Sequence, residues 1–120
     1  MKIINRVSFL ILQLLLFQSA VANSYEREFH PNKTTFFKNP SNQSIQSWCE
    51  MHVNAYSDNT FFIKQSQGSS EVNGATLSAG NTMTLTVTQL QPIEIIEYKK
   101  SQIEWTNLGN YTIKAVCLTS

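Results

Sequence analysis

The sequence predicts an all-β fold, a small antiparallel β-sandwich of about seven strands with one core disulfide. Three observations carry that expectation. From Ser47 onward, short segments alternate apolar and polar residues; turn-forming residues separate them at close spacing; and two cysteines, Cys49 and Cys117, sit near the two ends of that region. Period-two alternation marks a strand with one buried face, and several short strands in succession point to a sandwich or a barrel.

The first residues have a different character. Lys2 and Arg6 open the chain, an apolar run covers residues 7–17, and Ala20-Val21-Ala22 offers a small-x-small cleavage site. These are the three parts of a secretory signal. The apolar run is interrupted by Gln13 and stops at Gln18 and Ser19, short of the roughly 20 residues that a bilayer span needs. Residues 1–22 are therefore expected to be a cleaved signal peptide, and the mature chain to be secreted or periplasmic with no transmembrane segment.

Residues 23–46 contain Pro31 and Pro40 and many Asn, Ser and Thr, without a sustained period. They read as an extended polar N-terminal arm, partly ordered at most, with Phe36 and Phe37 either pinning it to the domain or forming an exposed contact. Residues 47–120 then form the sandwich domain. In "WCEMHVNAY" Cys49, Met51, Val53 and Ala55 fall on one side, and Trp48, Glu50, His52, Asn54 and Tyr56 on the other. "SDN" (57–59) is a turn, and "TFFIKQ" returns as the second strand.

"SQGSSEVNGA" reads as a loop ending in an Asn-Gly turn, and "TLS" as a short edge segment before a Gly-Asn turn. The cleanest alternation follows, with Met83, Leu85 and Val87 against Thr82, Thr84, Thr86 and Thr88. Pro92 closes that strand because proline cannot donate to a ladder. "IEIIEY" (93–98), "QIEW" (102–105) and "YTIKAVCL" (111–118) complete the set.

Cys49 stands three residues before His52, a spacing that invites a thiol nucleophile beside its base. On a strand, an odd separation places the two on opposite faces, so His52 cannot serve Cys49. His30 lies in the arm, with no signal that would hold it near. Both cysteines share faces with apolar residues, and an even cysteine count behind a secretory signal favours a disulfide. Closing the 67 intervening residues restricts the unfolded chain by about 4 kcal/mol on the chain-entropy model. The bridge is expected to be structural.

A core disulfide in a seven-strand sandwich resembles the immunoglobulin domains. That family places a Trp about a dozen residues after its first Cys and a Tyr two before its second. Here Trp48 precedes Cys49, Trp105 precedes Cys117, and Ala115 occupies the tyrosine position. The resemblance is to an immunoglobulin-like architecture, and architecture implies no function.

Several function classes find no support in the composition. Without Lys2 and Arg6, seven Lys and Arg face eight Asp and Glu, no excess with which to hold a phosphate backbone, so nucleic acid is not an expected partner. Two histidines, bridged cysteines and scattered carboxylates make no metal signature, and no cofactor is expected. Serine catalysis lacks its pattern, Asp58 is the single aspartate and lies in a turn, and Glu94 and Glu97 alternate sides. The threonine stripe suits a solvated sheet face, since threonine is a good strand former. Asn32, Asn42 and Asn110 each head an N-glycosylation acceptor pattern, which matters only in a eukaryotic secretory host.

The outward row Trp48, His52 and Tyr56 carries the functional interest, because large amphipathic side chains exposed on a sheet anchor partners. The alternative is that the arm covers them. The expected function is a small binding module without catalytic activity, recognising a protein or a cell-surface glycan. A secreted inhibitor or toxin-like factor, acting on a hydrolase or a membrane, is the second reading.

Overall fold

In the computed structural model residues 23–119 are described, and the expected signal segment, residues 1–22, lies outside them. Ten strands are present among the described residues: β1 (Asn23–Phe29), β2 (Thr34–Asn39), β3 (Ile45–His52), β4 (Thr60–Gln67), β5 (Ser69–Val72), β6 (Ala75–Ser78), β7 (Thr82–Thr86), β8 (Pro92–Glu97), β9 (Ser101–Asn107) and β10 (Ile113–Thr119). They form a six-stranded sheet of order β1-β10-β3-β8-β5-β6 and a four-stranded sheet of order β2-β9-β4-β7. All strand pairs are antiparallel. The two sheets face each other as a sandwich, and no helix among the described residues is long and apolar enough to cross a membrane.

The three strands beyond the expected seven have a common cause: their inward positions hold polar side chains, which blurs the alternation. Residues 23–46, read as an arm, supply β1 and β2 and open β3. On β1 the inward side chains are Tyr25, Arg27 and Phe29, and the Arg27 guanidinium lies 4.5 Å from the ring centre of Phe37, a stacking that hides the charge against an aromatic face. On β2 the inward Phe37 is followed by a buried Asn39. On β5 they are Ser70 and Val72, too short a run to show a period. Its hairpin to β6 turns at Asn73 and Gly74, both with positive φ, as the Asn-Gly turn requires.

β1 pairs with β10 from Asn23↔Thr119 to Phe29↔Ile113, and β2 pairs with β9. The segment thus contributes one edge strand to each sheet. Of its two phenylalanines, Phe37 is buried and Phe36 is half exposed. Pro92 stands as the first residue of β8, a place where its missing N–H costs no ladder bond.

Four aromatic rings tie the sheets together. Phe29 of the larger sheet packs against Phe61 at 4.9 Å and against Phe37 and Trp105 at 5.9 and 6.1 Å, while Phe61 and Trp105 meet edge-on at 5.0 Å. Tilted and edge-on pairs are the favoured ring geometries, and each adds about 1 kcal/mol beyond its buried area. Around them Met51, Ile63, Ile93, Ile103, Ile113, Val72 and Val87 complete a buried apolar core.

Three buried asparagines hold the loops. Asn39 donates to the carbonyls of Gln43, Glu97 and Tyr98 and accepts from Ser41. Asn59 donates to the carbonyls of Asn54 and Ser57. Asn107 donates to those of Phe29 and Tyr111 and accepts the Gly109 N–H. Each satisfies main-chain groups that the loops would otherwise bury without partners.

Cys49 and Cys117 are joined, directly opposite each other in the β3–β10 pairing with their Cα atoms 4.0 Å apart. The immunoglobulin bridge connects two sheets; this one connects two neighbouring strands of a single sheet, facing inward. It leaves no free cysteine among the described residues, and it suits an oxidising compartment.

Two outcomes follow from these interactions. The bridge closes a separation of 68 residues, so replacing both cysteines by alanine lowers the unfolding free energy by about 4 kcal/mol in urea titrations. The second concerns Glu97, buried on the inward side of β8. Burial raises its carboxyl pKa above the ordinary value, with Arg27 opposing the shift. A carboxyl with a raised folded-state pKa contributes most to stability below its unfolded-state pKa, and that contribution is lost as pH rises through the folded value. Glu97→Gln therefore stabilises the fold at neutral pH relative to its effect at pH 4, as read from melting temperatures across that range.

Candidate functional site

The outer face of the six-stranded sheet is built by parity from the strands that the disulfide joins. Because Cys49 and Cys117 point inward, their neighbours Trp48 and Leu118 point outward, and the antiparallel register sets those two opposite each other. The next outward pair is Glu50 and Val116, followed by His52 and Lys114. On either side the rows continue to Ser24, Glu26 and Glu28 of β1 and to Glu94 and Pro92 of β8. Ile96 of β8 lies between Gln46 and Glu71.

Trp48 and Leu118 are each 51% exposed, a large amount of apolar surface for two adjacent positions. With Val116, Pro92 and Glu50 they line a shallow groove of about 380 Å³. Carboxylates surround it. Glu94 accepts from the Gln46 amide, Glu26 lies 3.9 Å from the Lys114 ammonium, and Glu28 lies 3.6 Å from His30. Farther out, Glu71 accepts from the Tyr98 hydroxyl and holds that phenol above its usual pKa.

The three residues expected to form the outward row are placed differently from one another. Trp48 stands at the centre of the face. His52 lies on the same side of β3, its Nε2 3.0 Å from Glu50 Oε1. That contact puts the imidazole on the sheet's outer side while the Cys49 sulfur is inside, so the two are separated as parity requires. Tyr56 leaves the row. β3 ends at His52, and Asn54 then builds a turn, its Oδ1 accepting the Tyr56 N–H and its carbonyl accepting from Ser57. Tyr56 stands fully exposed in that turn. Residues 23–39 do not cover Trp48, because they are occupied as β1 and β2 at the edges of the two sheets.

Leu118, Val116 and Pro92 complete the face and were not singled out from the sequence. Alternation from Cys117 does place Leu118 and Val116 outward. What the sequence lacks is the neighbour relation between β3 and β10, which turns two separate outward residues into one patch.

On the opposite side of the sandwich, Thr82, Thr84 and Thr86 face solvent from β7. Threonine hydroxyls pair across that sheet, Thr34 with Thr106 at 2.8 Å and Thr60 with Thr86 at 2.9 Å. They satisfy one another as a solvated sheet face does. Thr88 lies beyond the strand and bonds to Gln91. Asn32, Asn42 and Asn110 are all exposed in turns or bends. Among the described residues no three His, Cys, Asp or Glu side chains converge.

The two tryptophans offer a direct check, since Trp48 is half exposed and Trp105 is buried. Caesium ions quench the Trp48 emission more than iodide does, because the surrounding carboxylates attract the cation and repel the anion. In Trp48→Phe the remaining emission is blue-shifted and reached by neither ion.

No family model, no curated protein and no solved structure matches this chain.

Proposed function

We propose that the protein is a non-catalytic binding module, secreted or periplasmic, that recognises a protein or a cell-surface glycan through the outer face of its six-stranded sheet. The observation that carries this reading is the juxtaposition of Trp48 and Leu118, both half exposed and set side by side by the disulfide-locked register. An aromatic beside an aliphatic side chain, on two strands joined by a disulfide, is a preorganised anchor: little side-chain or backbone order has to be created on binding.

Two further features support the same reading. Both thiols are consumed in the bridge, which removes them as nucleophiles. His52 engages Glu50 on the outer face, on the side of the sheet opposite the Cys49 sulfur.

The reading is tested by capture. The oxidised protein, immobilised through its C-terminus, is exposed to extracts of cell-surface proteins and glycans alongside Trp48→Ala and Leu118→Ala. Truncating a central anchor typically costs about 2 kcal/mol or more, so each substitution weakens affinity for the specific partner by about thirtyfold or more. Both variants should keep the parent's melting temperature to within a few degrees, since neither side chain belongs to the core. Retention that is unchanged in both variants removes this face from consideration.

A further inference from the structure

The charge on this face identifies the chemistry of what it binds. Five of the protein's eight carboxylates, Glu26, Glu28, Glu50, Glu71 and Glu94, point outward from the six-stranded sheet, against one ammonium, that of Lys114. Five negative charges against one positive leave a formal surplus of four, with the histidines neutral. The chain as a whole is close to neutral, so the surplus is a segregation. Lys38 and Lys64 project from the outer side of the other sheet, Lys33, Lys99 and Lys100 lie in turns, and Arg27 is turned inward over Phe37.

At the centre of this acidic surface sits the apolar groove between Trp48, Val116, Leu118 and Pro92. Resting on the binding role proposed above, we propose that the face takes a basic segment of a partner protein. One large apolar side chain of that segment seats in the groove, and its flanking lysines or arginines lie against Glu50 and Glu94 on one side and Glu26 and Glu28 on the other. The Trp48 ring offers a further contact to a cation passing over it.

Charge complementarity separates this occupant from the others. An anionic bilayer, a uronic or sulfated glycan, or a nucleic acid would be repelled at the rim. A neutral glycan can stack on Trp48 and bond to carboxylates, but it draws nothing from a surplus of negative charge spread over four strands. A cationic segment uses both the groove and the rim. The long-range field would also raise its association rate at low salt.

The test uses the oxidised, secreted protein and three defined probes followed by NMR titration: a short peptide with a central phenylalanine flanked by lysines, its counterpart with glutamates in place of the lysines, and a neutral chitin oligosaccharide. The expected result is that the lysine peptide shifts the Trp48 indole and Leu118 methyl signals while the glutamate peptide does not. Its affinity should fall severalfold between about 0.05 and 0.3 M salt, where screening shortens from beyond 10 Å to well under it. Glu50→Gln combined with Glu94→Gln should weaken it about tenfold at the lower salt, with the melting temperature retained.

Equal shifts from the lysine and glutamate peptides, or an affinity indifferent to salt, overturn the basic partner. Shifts at Trp48 from the chitin oligosaccharide alone also overturn it, while leaving the binding face itself in place. If no probe shifts Trp48, the basic partner is again overturned, and the capture experiment with Trp48→Ala and Leu118→Ala decides separately whether the face binds anything.

Discussion

The covalent register of β3 against β10 is the constraint on which the larger sheet depends. With Cys49 and Cys117 locked face to face, the strands cannot slip, and a slip of β3 by one residue would turn Trp48 into the core and the Cys49 sulfur out to solvent, away from Cys117. The same bond closes the chain over most of its length, bringing its last strand against its third. β1 then pairs with the free side of β10 and β8 with the free side of β3, so four of the six strands take their places from one bridge. The apolar core and the outer face are two consequences of a single pairing.

The smaller sheet is held by different means. No disulfide joins it to its neighbour, and the aromatic cluster of Phe29, Phe37, Phe61 and Trp105 fastens it. Short strands and frequent crossings between sheets leave many main-chain groups at loop ends, and Asn39, Asn59 and Asn107 are the side chains that satisfy them. A small domain can bury only a modest apolar area. This one adds a disulfide, an aromatic cluster and loop-holding amides to that area.

Most of the central architecture was legible from residue 47 onward, because most inward positions there are apolar and the period-two pattern is clean in the longer strands. The inward and outward sides of β3, β7 and β10 follow directly from it. The arm residues concealed two strands for a physical reason: Arg27 and Asn39 point inward, where pattern reading expects apolar side chains. One is masked by an aromatic ring and the other by hydrogen bonds, and neither compensation is visible in a linear pattern. The short β5 was hidden by its buried Ser70. Alternation alone puts Tyr56 on the row because it continues through Asn54, whereas the strand stops at His52 and the Asn54 side chain builds a turn by accepting the Tyr56 N–H.

The candidate face was half legible. Trp48 and His52 could be placed outward by parity, but Leu118 and Val116 become their neighbours only once Cys49 and Cys117 are known to be cross-strand partners in one sheet. Analogy with the immunoglobulin bridge, which spans two sheets, points away from that relation. Given the cross-strand pairing, antiparallel arithmetic alone sets residue 48 opposite residue 118.

The register is most directly tested by solution NMR of the oxidised protein. Opposed Cα atoms as close as 4.0 Å mark a non-hydrogen-bonded pair, so strong Hα–Hα contacts are expected at Cys49–Cys117 and, two residues on, at Met51–Ala115 and Ser47–Thr119. Observing that ladder establishes that Trp48 and Leu118 share one outward patch. Contacts displaced by a residue, or a bridge whose flanking residues show no cross-strand contacts, would contradict the pairing and with it the face.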